Sequence, residues 1–248
     1  MFNWLSFLNV EAGVSRTSQS NLRLGVLLSF VAGATNAGGF LAVGLYTSHV
    51  TGLFSSIADY LILGNILLTL GAVTAVVAFL LGAMTTAMLI NLGLRINLHS
   101  AYCLPLLLEA FMLLVFGVFG ASIKAVSILL APVTVVILCF IMGLQNALIT
   151  KISKSEFRST HLTGVVTDLG IELGKLFYVN DASLPTKVLA NRTKLRALTW
   201  LLCSFMVGGV VGALAFKCLG YTMTFALALM VLIPAVKPVM ADAQNRLN

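Results

Sequence analysis

The chain has 248 residues, 59% of them hydrophobic and 9% charged, with 15 basic against 8 acidic side chains. A soluble domain carries roughly 25% charged residues, so this composition, with its mean hydropathy of +1.04, excludes a water-soluble globule and indicates an integral membrane protein. The formal charge of +7 does not indicate nucleic-acid binding, because the basic residues lie in short loops and report membrane orientation.

Residues 1–21 lack an apolar core followed by a small-residue cleavage site. They are expected to form a cytoplasmic N-terminal segment rather than a removable signal peptide. The first span covers residues 22–45 and carries Asn36. An amide in an apolar span needs partners, which an interhelical hydrogen bond or a bound solute would supply.

A weaker segment follows at 49–64, opening on Ser48, His49, Thr51 and Gly52. The Ser48 hydroxyl is expected to cap a helix there, and an N-terminus inside the membrane would offer N–H donors to an anion. His49 beside it is either a structural histidine or a ligand-binding one. Thr51, Ser55 and Asp59 recur every fourth residue and place a polar stripe on one helix face.

Strong spans follow at 66–94 and 101–121. The second holds Glu109, an acid inside an apolar helix, which should face protein, be protonated or pair with a base. The span at 125–149 carries Asn146 near its end.

A second weak segment, 160–178, opens on Thr160, His161, Thr163 and Gly164 and contains Asp168, Glu172 and Lys175. Such a stripe suits either a water-filled cavity or an amphipathic helix in the headgroup region. Spans at 195–216 and 219–236 complete the chain, with 239–248 as a cytoplasmic tail. The basic stretches at 151–158 and 187–196 are expected to meet anionic lipid headgroups. Cys103, Cys139, Cys203 and Cys218 all lie in or beside apolar spans and are read as buried thiols without disulfides.

The positive-inside rule arbitrates the weak segments. If neither crosses, only Lys124 and Lys217 of the 15 basic residues face outward. If both cross, the asymmetry weakens. Six spans with both termini cytoplasmic is the expected topology.

The halves repeat. Phe30, Gly33, Asn36 and Ala37 recur as Phe140, Gly143, Asn146 and Ala147, and the His49-x-Thr51-Gly52 turn recurs as His161-x-Thr163-Gly164. Further on, Phe79, Gly82 and Ala87 recur as Phe205, Gly208 and Ala213. Each half holds three spans, so the second copy enters from the opposite side. The expected fold is therefore an all-α membrane protein of six transmembrane helices plus two short broken or re-entrant helices. It forms one membrane domain, with inverted-topology repeats over 22–121 and 122–238. Small-residue faces at Gly82/Thr86 and Gly208/Gly212, with Gly71, Gly117 and Gly120, would serve helix packing or a homo-oligomer surface.

These motifs resemble the YoaK family of bacterial six-span membrane proteins, a family of unknown function, over about residues 22–236. The resemblance implies the topology and a bacterial inner-membrane location, but no activity.

The expected function is a transporter or channel for a small polar or anionic solute, with the site between the two motifs. Its expected binding residues are Asn36, His49, Thr51, Asn146, His161 and Thr163. Asp59, Asp168 and Glu109 are the candidates for ion or proton coupling. A non-transporting scaffold is the alternative, although the short loops offer it little docking surface. No HExxH or GxSxG pattern accompanies the polar groups, so neither an enzyme nor a metal or other cofactor is expected. The expected partners are the solute and the lipid bilayer.

Overall fold

The computed structural model describes residues 12–14, 17–122, 127–153, 162–180 and 187–247. Its helices are α1 (Ser18–Val43), α2 (Val50–Ile62), α3 (Ile66–Arg95), α4 (Cys103–Ser122), α5 (Ser127–Ile152), α6 (Leu162–Phe177), α7 (Arg192–Leu219) and α8 (Met223–Leu247). Among the described residues there is no strand. Side-chain oxygens cap the starts of α1, α3 and α7, where Thr17, Asn65 and Asn191 accept from Ser20, Leu68 and Lys194 N–H groups.

α1, α3, α4, most of α5 and the stretch 192–245 are long and apolar enough to cross a membrane, while α2 is a shorter apolar helix. The 192–245 stretch is not one rod. It reverses at a 3-10 turn, Gly220–Thr222, where Gly220 takes a φ of +64° that favours glycine.

Contacts fix the helix directions. Gly25 meets Leu201, Ala34 meets Gly212 and Gly38 meets Phe216, so α1 and α7 run parallel. Ala75 and Ala78 cluster with Val135, Val136 and Cys139, and Thr86 Oγ1 donates to the Leu144 carbonyl at 2.8 Å, so α3 and α5 also run parallel. Ser100, just before α4, donates to Asp242 through its N–H at 2.7 Å, whereas Gly117 meets Thr224 and Gly120 meets Tyr221; α4 and α8 are antiparallel.

One end of the bundle gathers the starts of α1, α4 and α7 and the ends of α3, α5 and α8. Val14 N–H donates to the His99 carbonyl, and Ala12 N–H donates to the Pro234 carbonyl. Arg23, Arg95, Lys151, Arg196 and Lys237 belong to this end.

The closest helix contacts use the repeated Phe-x-x-Gly motifs. A Cβ on Gly33 would collide with the Phe205 carbonyl oxygen, and one on Gly208 with that of Phe30. The same exchange joins α3 and α5, where Gly82 faces the Phe140 carbonyl and Gly143 that of Phe79. Small residues thus let the backbones touch, which in lipid supplies packing that hydrophobicity cannot.

Candidate functional site

The first motif is a break between α1 and α2. Gly44 ends α1 at a φ of +71°, with its N–H donating to the Phe40 carbonyl at 2.8 Å. Contrary to the expectation from the sequence, Ser48 does not cap α2. The N-cap residue is His49, which makes no side-chain capping bond. The Ser48 hydroxyl instead donates to Asn36 Oδ1 at 3.3 Å. Buried Asn36 needs a donor, and Ser48 lies one residue too early to serve α2. Asn36 therefore ties the turn back onto α1.

Leu53 of α2 packs on Ala75, Ala78 and Cys139. At 1.5 Å per residue, those alanines lie about 14–18 Å along α3 from its start at Ile66. The break is therefore sunk into the bundle, and α2 runs back outward beside α3.

A pocket of ≈ 200 Å³ opens at this break, with Phe40, Tyr46, Thr47, His49, Ser56 and Cys139 in its wall. The Phe40 and Tyr46 rings stack at 4.8 Å with an interplanar angle of 13°. His49 is exposed and lies over Gly52, leaving no room for a Cβ there. Thr47 is only 1% exposed, yet its hydroxyl has no hydrogen-bond partner among the described residues. Its carbonyl accepts from Cys139 Sγ at 3.6 Å. Thr51 and Asp59 are exposed on α2, and the Thr51 carbonyl accepts from Ser55 Oγ at 3.2 Å.

The described part of the second motif, Thr163 and Gly164, lies in the first turn of α6, toward the opposite end of the bundle. His161 and Thr160 fall outside the described residues. Thr163 is exposed on α6, and its carbonyl accepts from Thr167 Oγ1 at 2.8 Å, repeating the Thr51–Ser55 arrangement. Asn146 Oδ1 is buried without a partner among the described residues. α2 packs on α3 and α6 on α7, so the structure does not bring Thr163 to His49 and Thr51.

The α6 stripe joins α6 to α7. Asp168 Oδ2 lies 3.1 Å from Lys194 Nζ. Glu172 Oε1 accepts from Lys175 Nζ at 2.9 Å, and its Oε2 accepts from the Asn191 N–H at 2.7 Å. The Lys175 hydrogen bond, followed by that from Asn191, holds the Glu172 carboxyl below its ordinary range.

Glu109 is fully buried on α4, where its Oε1 accepts from Gln145 Nε2 at 2.8 Å. Sequence reasoning missed Gln145, because Thr35 stands at the matching place in the first half and the amide does not recur. Its position one residue before the repeated Asn146, inside an apolar span, was the available signal. Cys103 and Cys139 are buried, but Cys203 and Cys218 are exposed, which corrects the expectation of four buried thiols. Both lie on α7 at positions that the other helices leave uncovered. Among the described residues no three His, Cys, Asp or Glu side chains gather to hold a metal ion.

A family model described as "Protein of unknown function (DUF1275)" matches residues 24–236. Over 197 residues the chain is 29% identical to the UPF0700 transmembrane protein YoaK of Bacillus subtilis (strain 168), covering 76% of this chain and 81% of that protein. No solved structure matches this chain.

Proposed function

The chain belongs to the DUF1275 family, and from that premise we propose an inner-membrane transporter or channel for a small polar or anionic solute, built from two inverted repeats. The observation that carries this reading is the pocket at the sunken α1–α2 break, with its buried Thr47 hydroxyl that finds no partner among the described residues. Transporters commonly place substrate where a discontinuous helix exposes its backbone groups at depth.

Helix directions support six spans. With α1 parallel to α7 and α4 antiparallel to α8, a crossing by α2 or α6 would reverse one of these relations. The reciprocal Phe-x-x-Gly contacts support the repeat, since exchanging α1 with α5 and α3 with α7 maps each contact onto its counterpart. The basic end is read as cytoplasmic under the positive-inside rule, which places both termini there. The pocket then opens toward the outer leaflet. α6, held by ion pairs near the basic end, lies at the cytoplasmic headgroups.

The pocket is small beside the roughly 300–1,000 Å³ of typical ligand sites, which suits a solute of few heavy atoms. The first turn of α2 and His49 favour an anionic or hydrogen-bonding solute. Val135 and Cys139 of α5 close the wall from the second repeat, so the site lies between repeats without the second turn.

A panel of small solutes screened for uptake into proteoliposomes, with and without a pH gradient, tests the reading. A solute taken up by the native chain and not by His49→Ala/Thr47→Val supports it. Undiminished uptake by that variant would remove the pocket from the account.

A further inference from the structure

We propose that Glu109 and Gln145 form a neutral carboxylic acid–carboxamide pair that binds and releases one proton inside the membrane; its use in coupling rests on the transport reading above. The inference starts from two leftover oxygens. Both side chains are 0% exposed, and Gln145 Nε2 donates to Glu109 Oε1 at 2.8 Å. Glu109 Oε2 and Gln145 Oε1 are buried as well, yet no donor among the described residues reaches either.

An ionised carboxylate would leave both acceptors buried without a donor, an arrangement buried groups avoid. A proton on Oε2 turns one acceptor into a donor suited to the other. The acid and the amide then satisfy each other through two parallel hydrogen bonds. Release breaks the Oε2–H bond, leaves its electron pair on the carboxylate and passes the proton to water. No redox change accompanies it.

α3, α5, α8 and the 3-10 turn pack on α4. Their described titratable groups are Arg95 on α3, Cys139 and Lys151 on α5, Tyr221 in the turn, and Lys237 and Asp242 on α8. Gln145 is the hydrogen-bond partner of Glu109, and among the described residues no ion pair reaches its carboxyl. Asp242 is engaged by the His99 and Ser100 N–H groups at 3.0 and 2.7 Å, and Tyr221 packs edge-on against Phe116 with ring centroids 5.7 Å apart. With no counter-charge beside it, an ionised Glu109 would stand uncompensated among apolar side chains.

The pair is wired to helix packing. Gln145 follows Leu144, whose carbonyl accepts from Thr86 Oγ1, and Gly143 rests on the Phe79 carbonyl. Loss of the proton sets a carboxylate against Gln145 Oε1 and turns the amide at the point where α5 meets α3. Proton release and the α3–α5 contact are thus linked through one side chain.

Infrared difference spectra of the full-length protein in liposomes, recorded across pH in H₂O and D₂O, test the assignment. At neutral pH the native chain should show a protonated-carboxyl C=O band that Glu109→Gln removes and Gln145→Leu shifts to higher frequency. Glu109→Asp, which keeps an acid and should move the band, serves if Glu109→Gln does not fold. A neutral-pH spectrum without the band, or a band that survives Glu109→Gln, overturns the proposal. A band unmoved by Gln145→Leu overturns the pairing, and a band abolished by sodium at fixed pH overturns the proton in favour of a monovalent cation. No solute enters the measurement, so its failure leaves the His49 pocket standing, and loss of solute binding leaves the band unchanged.

Discussion

Gly33 rests on the carbonyl oxygen of Phe205, so the first and seventh helices touch backbone to backbone. Gly143 makes the same contact with Phe79. Neither glycine can acquire a side chain without moving a helix, and the same local sequence makes both seams.

Gly33→Val and Gly143→Val should therefore each destabilise the bundle by about 1–3 kcal/mol through overpacking. Gly71, whose Cβ position is open space, provides the control. Gly71→Ala should leave stability unchanged or raise it by up to about 1 kcal/mol. Thermal unfolding in detergent distinguishes these outcomes, and equal losses at all three positions would contradict the seam.

The Ser48–Asn36 hydrogen bond should appear in a double-mutant cycle. Ser48→Ala and Asn36→Ala should couple by about 0.5–1.5 kcal/mol, the usual net worth of such a bond. Additive effects would mean that Asn36 does not hold the turn.

The Glu172 tether between α6 and α7 should depend on pH. Its carboxyl is held low in the folded chain, so the stabilisation is present above the ordinary carboxylate range. It is lost as pH falls through the lowered value. Protease cleavage between α6 and α7 should therefore rise on acidification of the native chain. In Glu172→Gln it should already be high at neutral pH and respond little to acid.

Solute binding at the first break should weaken at least tenfold, about 1.4 kcal/mol, in Thr47→Val. Thr163→Val lies on exposed α6 at the other end and should change it little. Equal losses in both variants, measured by thermal shift with the solute that emerges from screening, would point to a single shared site instead.

Much of this arrangement was legible in the sequence. Apolar length marked the long helices, and the recurrence of Phe30–Gly33 as Phe140–Gly143 fell on two of the backbone contacts between helices. Glycine spacing announces that a backbone comes close, but not which one, so the pairing of α1 with α7 needed coordinates. Ser48 was misread because a hydroxyl before a helix has two acceptable uses, and the buried Asn36 decided between them. The α6 stripe had two readings, and its partners Lys194 and Asn191 lie across a linker that periodicity does not describe. Gln145 escaped notice because the repeat drew attention to residues that recur, while the Glu109 pair belongs to one half alone.

The most direct test of the two oppositely inserted halves is the side from which each turn is reached. In a chain whose native cysteines are replaced, Val50→Cys and Leu162→Cys should react with a membrane-impermeant thiol reagent from opposite faces of oriented vesicles. Val50→Cys should label from outside and Leu162→Cys from the cytoplasmic side. Labelling of both from the same face would contradict the account.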